Sequence, residues 1–180
     1  MEKIKLNVGC GTDIKTGWVN LDSHKLPGVD IVHDIEKMPW PFASGSVSHV
    51  FCANVLEHVD YIPVMKEIHR ILCEDGTVEI IVPHFTSRNN FIDPTHRKMF
   101  SIRTFEFFVK DSSYGRGYYF DFMFRKIERR KIMFEKRASL FFNYLVEPVM
   151  NISSASMIYY EATFLSRLFP AADIFVALRK

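Results

Sequence analysis

The chain has 180 residues and a formal net charge of +2 at pH 7. That is enough length for one domain with its own core, and too little charge to point to a nucleic-acid partner. No apolar run approaches the roughly 18 residues that cross a bilayer, because Asn143, Glu147 and Asp173 interrupt the C-terminal stretches. Cys10, Cys52 and Cys73 are an odd number, lack CxxC spacing and lie in apolar segments. They read as small buried hydrophobes in a reducing cytoplasm. Met1-Glu2-Lys3-Ile4-Lys5-Leu6 runs straight into a strand pattern and leaves no room for a signal peptide's apolar stretch, so export is not expected.

In chain order, short apolar runs separated by turn signals predict strands at Lys5–Val8, Trp18–Leu21, Asp30–His33, Val47–Cys52 and Thr77–Val82. Between the last two, Asp60 is the expected cap of a helix that carries Val64, Met65, Ile68, Ile71 and Leu72 on one face, with Asp75-Gly76 as its stop. From Phe85 onward aromatic and Met residues mix with Arg and Lys. Strands are expected there at Tyr118–Phe124 and Ile127–Phe134, helical structure between Ser139 and Leu168, and a final strand at Asp173–Leu178. The pattern predicts an α/β chain with a mostly parallel sheet, an antiparallel C-terminal strand and one domain over residues 1–180. Residues 1–83 form its ligand-binding half and residues 84–180 its substrate side.

An apolar strand running into Gly9-Cys10-Gly11 places two glycines at the C-terminal edge of the sheet, where open α/β sheets bind ligands and where side chains would block access to the backbone. A Gly-x-Gly alone reads equally well as a tight turn. Asp22 ends the next strand and can only accept hydrogen bonds, which suits a ribose diol. Asp34, after the third strand, suits an adenine amino group, with Ile35 against the ring. A dinucleotide is disfavoured because Ile14 stands where its fingerprint needs a small residue and no helix follows the loop. Gly11 to Asp22 is too short for a full loop, helix and strand. The first helix is therefore expected to be truncated or absent, with Trp18 or a C-terminal segment covering the sheet face it leaves.

In Leu6–Gly11, Asp34–Pro39 and Asn54-Val55-Leu56-Glu57-His58-Val59 the sequence resembles class I S-adenosylmethionine-dependent methyltransferases of the short type 11 group. The resemblance spans most of Ile4 to Pro83. It implies a Rossmann-like fold, S-adenosyl-L-methionine as cofactor, and a methionine end cradled by Gly9, Cys10 and Gly11. It further implies ribose at Asp22, adenine at Asp34 and Ile35, and a sulfonium lined by Asn54 and Val55. Asn7 counts among these cofactor residues, although it stands where the family usually has an acid. Asp13 stands where it usually has a third glycine.

Methyl transfer mainly requires alignment and exclusion of water; a base is needed only when the acceptor must lose a proton. His96, oriented by Asp93, is the first candidate base and His84, directly after the fifth strand, the second. The competing reading makes Asp93-Pro94 a turn and His96 a helix cap. Glu57-His58 either faces the site or caps a helix. His84, Asp93 and His96 have no recognised metal-ligand spacing, so no metal is expected. Arg125 to Lys131 offers charge to a phosphate-bearing substrate or, peripherally, to an anionic membrane surface, and reads equally as a solvated strand face. The expected activity is methylation of a small molecule, sugar-containing or lipid-linked. The alternative is an S-adenosylmethionine-binding accessory or regulatory protein without catalysis. Nucleic-acid methylation is disfavoured because no Asn-Pro-Pro-Tyr-type motif follows the fourth strand.

Overall fold

The computed structural model describes residues 3–110 and 112–180; Met1 and Glu2 of the N-terminal run lie outside the described residues. The elements in chain order are β1 (Ile4–Val8), β2 (Val19–Asp22), β3 (Ile31–Val32), β4 (Val47–Ala53), α1 (Tyr61–Ile71), β5 (Leu72–Pro83) and α2 (Asn89–Ile92). The second half adds β6 (Lys126–Met133), α3 (Asn143–Met150), α4 (Ser154–Ala162), α5 (Leu165–Leu168) and β7 (Asp173–Arg179). The strands form one sheet in the order β3-β2-β1-β4-β5-β7-β6. β1 to β5 are parallel, and β7 runs antiparallel to both β5 and β6. The strand order reverses between β1 and β4, the switch point at which such sheets bind ligands.

Alternation decides which face is buried. Leu6, Leu21, Val50, Cys52, Val78, Ile80, Val82, Ile174, Val176 and Leu178 are buried and share a core with α1, which adds Val64, Met65, Ile68 and Ile71. No helix joins β1 to β2, as the short spacing predicts, and none joins β3 to β4. Trp40 and Phe42 from that second connection enter the core instead. Glu67 of α1 accepts the Trp40 amide at 2.6 Å, and Arg70 donates to the Phe42 carbonyl at 2.9 Å while pairing with Glu67 at 2.6 Å. On the opposite face Trp18 is half-buried, edge-on to His49 at 5.2 Å, and Lys15 lies over Phe51 at 4.1 Å. Trp18 therefore does contribute cover there, but from a loop and without full burial.

Three expectations need correction. α1 ends at Ile71, earlier than Asp75-Gly76, because Leu72 turns extended with ψ 135° and starts β5. Asp75, at φ 59°, and Gly76, where a Cβ would sit 2.8 Å from the Cys73 carbonyl, instead form a tight irregularity inside that strand. Asp60 precedes α1 without a side-chain cap, and its amide donates to Glu36 at 3.1 Å. The expected strand at 118–124 is absent: Gly117–Tyr119 is a short 3-10 turn, and only Phe124 bridges Val109. Phe120, Phe122 and Phe124 do alternate, but Phe120 and Phe122 stack on Phe108, at 4.8 and 5.8 Å, so ring packing rather than a strand ladder fixes the segment.

Glu147 shows how the C-terminal helices hold to the sheet. It accepts the Phe134 amide at 3.0 Å and pairs with Lys131 at 2.6 Å and Lys136 at 2.7 Å. Burial pushes its carboxyl upward, but these partners together hold it below the ordinary 4.5. A carboxyl depressed in the folded state stabilises above its unfolded pKa, and that contribution is lost as pH falls through the folded value. Glu147→Gln should therefore lower urea stability by about 1–3 kcal/mol at pH 7. The gap from wild type should shrink steadily below pH 4.5.

Candidate functional site

The site is built on the C-terminal ends of four adjacent strands. Gly9 follows β1 at φ +61°, and a Cβ there would lie 2.4 Å from Val55 Cγ2, so both backbone and packing demand glycine. Gly11, at φ +50°, faces open space, with no atom within 4 Å of an added Cβ. The Cys10 amide donates to the Leu21 carbonyl at 3.0 Å, and the Gly11 amide donates to Asp22 Oδ2 at 2.8 Å. Asp22 Oδ1 accepts the His24 amide at 2.9 Å. Asp34, after β3, accepts the Glu36 amide at 3.0 Å and remains half-exposed, while Ile35 is buried beside it. After β4, Asn54 adopts φ 55° and brings Val55 beneath Gly9. At about 4.8 Å between strands these four ends span about 14 Å.

Two of the expected cofactor residues serve the loop from below. Asn7 is buried and its amide nitrogen donates to the Asp13 carbonyl at 2.7 Å and to Asn20 Oδ1 at 3.0 Å. Cys10 is also buried, and burial followed by the Asp22 charge pushes its thiol pKa up, away from reactivity. Asn20 and Asp30 are the residues that the motifs did not reveal. Asn20 accepts the Lys15 amide at 2.9 Å, and its own amide donates to Asp30 Oδ2 at 2.7 Å. Their only sequence signal is a polar residue in an apolar strand pattern.

Beside the loop, a cavity of about 300 Å³ is lined by Asn54, Glu57, His58, Pro83, Ile92, Asp93, His96 and Asp173, among others. The structure brings His96 and Asp93 together, with His96 Nε2 3.9 Å from Asp93 Oδ2 and 4.0 Å from Glu57 Oε1. His84 does not join them. It is fully buried, bonded to Thr86 at 2.7 Å and to Glu161 at 3.0 Å, a structural anchor between β5 and α4. Glu57, left open in the sequence, is fully buried in the cluster and burial pushes its carboxyl up to about 7. Thr95 donates from both its amide, at 2.9 Å, and its hydroxyl, at 2.6 Å, to Asp93 Oδ1 and holds that carboxyl below its usual range.

The basic stretch is internally balanced. Arg125 pairs with Asp75, Lys126 with Glu128, Arg129 with Glu79, Arg130 with Glu106 and Lys131 with Glu147. Its charges protect the edge strand β6 and lie away from the glycine loop. Among the described residues no helix is long and apolar enough to cross a membrane.

Residues 7–80 match the family model described as a methyltransferase domain. An uncharacterized protein of Methanocaldococcus jannaschii is 32% identical over 83 residues, which are 41% of this chain and only 37% of that relative's length. A SAM-dependent methyltransferase from Archaeoglobus fulgidus superposes with a TM-score of 0.63 at 16% identity, over 99% of this chain and 86% of that one. The chain therefore has the Rossmann-like fold of S-adenosylmethionine-dependent methyltransferases, and its residues 7–80 resemble their methyltransferase domain. The Haemonchus contortus phosphoethanolamine N-methyltransferase 2, solved with S-adenosyl-L-methionine, shares the fold at TM-score 0.56 and 15% identity, over all of this chain and 49% of that one. No helix follows the glycine loop in this chain; residues 9–18 form a pinned loop instead.

The two loop glycines should fail differently on substitution. Gly9→Ala combines a left-handed backbone with a 2.4 Å clash and should cost about 2–4 kcal/mol in urea unfolding. Gly11→Ala has only the backbone strain and should cost about 1 kcal/mol, while closing the space above the loop.

Proposed function

We propose that this protein transfers a methyl group from S-adenosyl-L-methionine to a small-molecule acceptor. The observation that carries this reading is the row of strand-end groups, with Asp22 bonded to the Gly11 amide at its centre. The residues fit the cofactor. Gly9 and Gly11 leave room for its methionine end, and Asp22 Oδ2 keeps a lone pair for a ribose hydroxyl. Asp34 offers an acceptor to the adenine amine, and Asn54 with Val55 closes the loop's far side. When bound, the cofactor supplies a methyl group already activated by a sulfonium. The chain's own task is then to orient the acceptor and exclude water.

Residues 1–83 hold the cofactor in this reading, and residues 84–180 supply the acceptor side. The acceptor enters the 300 Å³ cavity, between the polar wall of Glu57, Asp93 and His96 and an apolar rim. Ile92, which is exposed, and Pro83 supply that rim, which favours a lipid-linked or sugar-containing metabolite with an apolar portion. The three cysteines are free and buried, as suits a cytoplasmic enzyme.

Titration calorimetry with S-adenosylhomocysteine should show one site per chain, weakened at least about 10-fold in Asp22→Ala, a loss of about 1.4 kcal/mol. Absence of heat in the wild-type protein would sink the reading. Binding without methylation of any sugar-containing or lipid-linked acceptor would favour the accessory role.

A further inference from the structure

We infer that Glu57, His58 and His96 form a binding site for a divalent transition-metal ion of the Zn²⁺ type, with Asp93 as a supporting carboxylate. One ligand atom from each of Glu57, His58 and His96 lies within 4.8 Å of the others. Tetrahedral coordination at 2.0–2.1 Å separates donor atoms by about 3.3 Å, so small rotamer adjustments close the set. The inference stands on this geometry and does not depend on the transferase reading.

Two buried groups of the cluster carry polar atoms without partners. Both carboxylate oxygens of Glu57, a residue with 0% exposure, lack a hydrogen bond among the described residues. So does Nδ1 of His96, whose side chain is 8% exposed. A buried carboxylate normally has donors on its lone pairs, and leaving them empty costs about 1–3 kcal/mol or more. Glu57, Asp93 and Asp173 all line the same cavity, yet none forms an ion pair with a described Lys or Arg. A cation supplies what the side chains lack.

The surrounding bonds prepare the ligands. Thr95 spends its hydroxyl proton on Asp93 Oδ1 at 2.6 Å, so at the 2.8 Å contact between His58 Nδ1 and Thr95 Oγ1 the imidazole must donate. That assigns the proton to Nδ1 and leaves the lone pair of His58 on Nε2, the arrangement in which metal-binding histidines are held by a partner on the other nitrogen. The two ligand-bearing loops are tied by backbone, since the Arg97 amide donates to the Glu57 carbonyl at 2.8 Å. The His58 and His96 rings meet edge-on at 4.6 Å. Two imidazoles and a carboxylate without thiolate suit Zn²⁺ with an open position, and they place that position at the 300 Å³ cavity.

The test is titration calorimetry of ZnCl₂ into chelator-treated full-length protein, alongside Glu57→Gln, His96→Ala and the double variant, with folding of each checked by circular dichroism and urea unfolding. We expect about one equivalent in the wild type and at least about 10-fold weaker binding in each single variant. Zn²⁺ should raise the melting temperature of the wild type and leave that of the double variant unmoved. Co²⁺ should give the intense visible bands of a four-coordinate site, so that a variant with lost folding is still distinguished by the wild-type spectrum. No stoichiometric binding by the wild type, or equal affinity in the folded double variant, overturns the inference.

Discussion

The fold depends on how a parallel β-β connection is closed without its helix, and the side-chain amide of Asn20 does most of that closing. Its oxygen accepts Asn7 Nδ2 and the Lys15 amide, and its nitrogen donates to the carbonyls of Lys15 and Trp18 and to Asp30 Oδ2. A parallel pair usually requires a crossover of a dozen or more residues with a helix over the face. Here residues 9–18 make the crossing as a loop whose polar groups are shared among the Asn20 amide, Asn7, Asp22, the Leu21 carbonyl and turns of the loop's own backbone. Each such group, left alone, costs about 1–3 kcal/mol. The same network sets the height of the loop, so Gly11 can meet Asp22 and the strand ends can act as one row.

The glycine-loop edge of the sheet was largely legible because its constraints are local. Positive φ at Gly9 and Gly11, an acid at the end of β2 and another after β3 each leave a residue-level mark. The missing helix was legible too, from nothing more than the spacing of Gly11 and Asp22. Asn7 was misread in role because an amide at a strand end looks the same whether it faces a ligand or the underside of its own loop. Trp40 and Phe42 went unrecognised as core because their placement depends on Glu67 and Arg70, twenty-seven or more residues away. The aromatic segment around Phe120 was read as a strand because its alternation is real, though rings at Phe108 and not a neighbouring strand receive it.

In the cavity beside the loop the structure joins only some of the side chains that the sequence singled out. Asp93 and His96 converge, but their third neighbour is Glu57 from the β4–α1 connection and not His84. No spacing rule joins residues 57 and 96; the Arg97 amide on the Glu57 carbonyl does. The division of labour follows from the sheet. The parallel strands carry the glycine-loop edge, and the irregular second half places a polar cluster beside it. The basic strand β6, the most conspicuous charge pattern in the sequence, is spent on neutralising carboxylates within the fold.

Amide hydrogen exchange resolved by residue tests the central claim most directly, comparing the ligand-free wild type with Asn20→Ala. The account predicts that Gly11 and Lys15 are protected in the wild type although they sit in a loop. In the variant both should exchange at least about 10-fold faster, matching the loss of about 1.4 kcal/mol of local stability, while Val78 and Ile80 in β5 keep their protection. Unprotected loop amides in the wild type, or loop protection unchanged by Asn20→Ala, would contradict it.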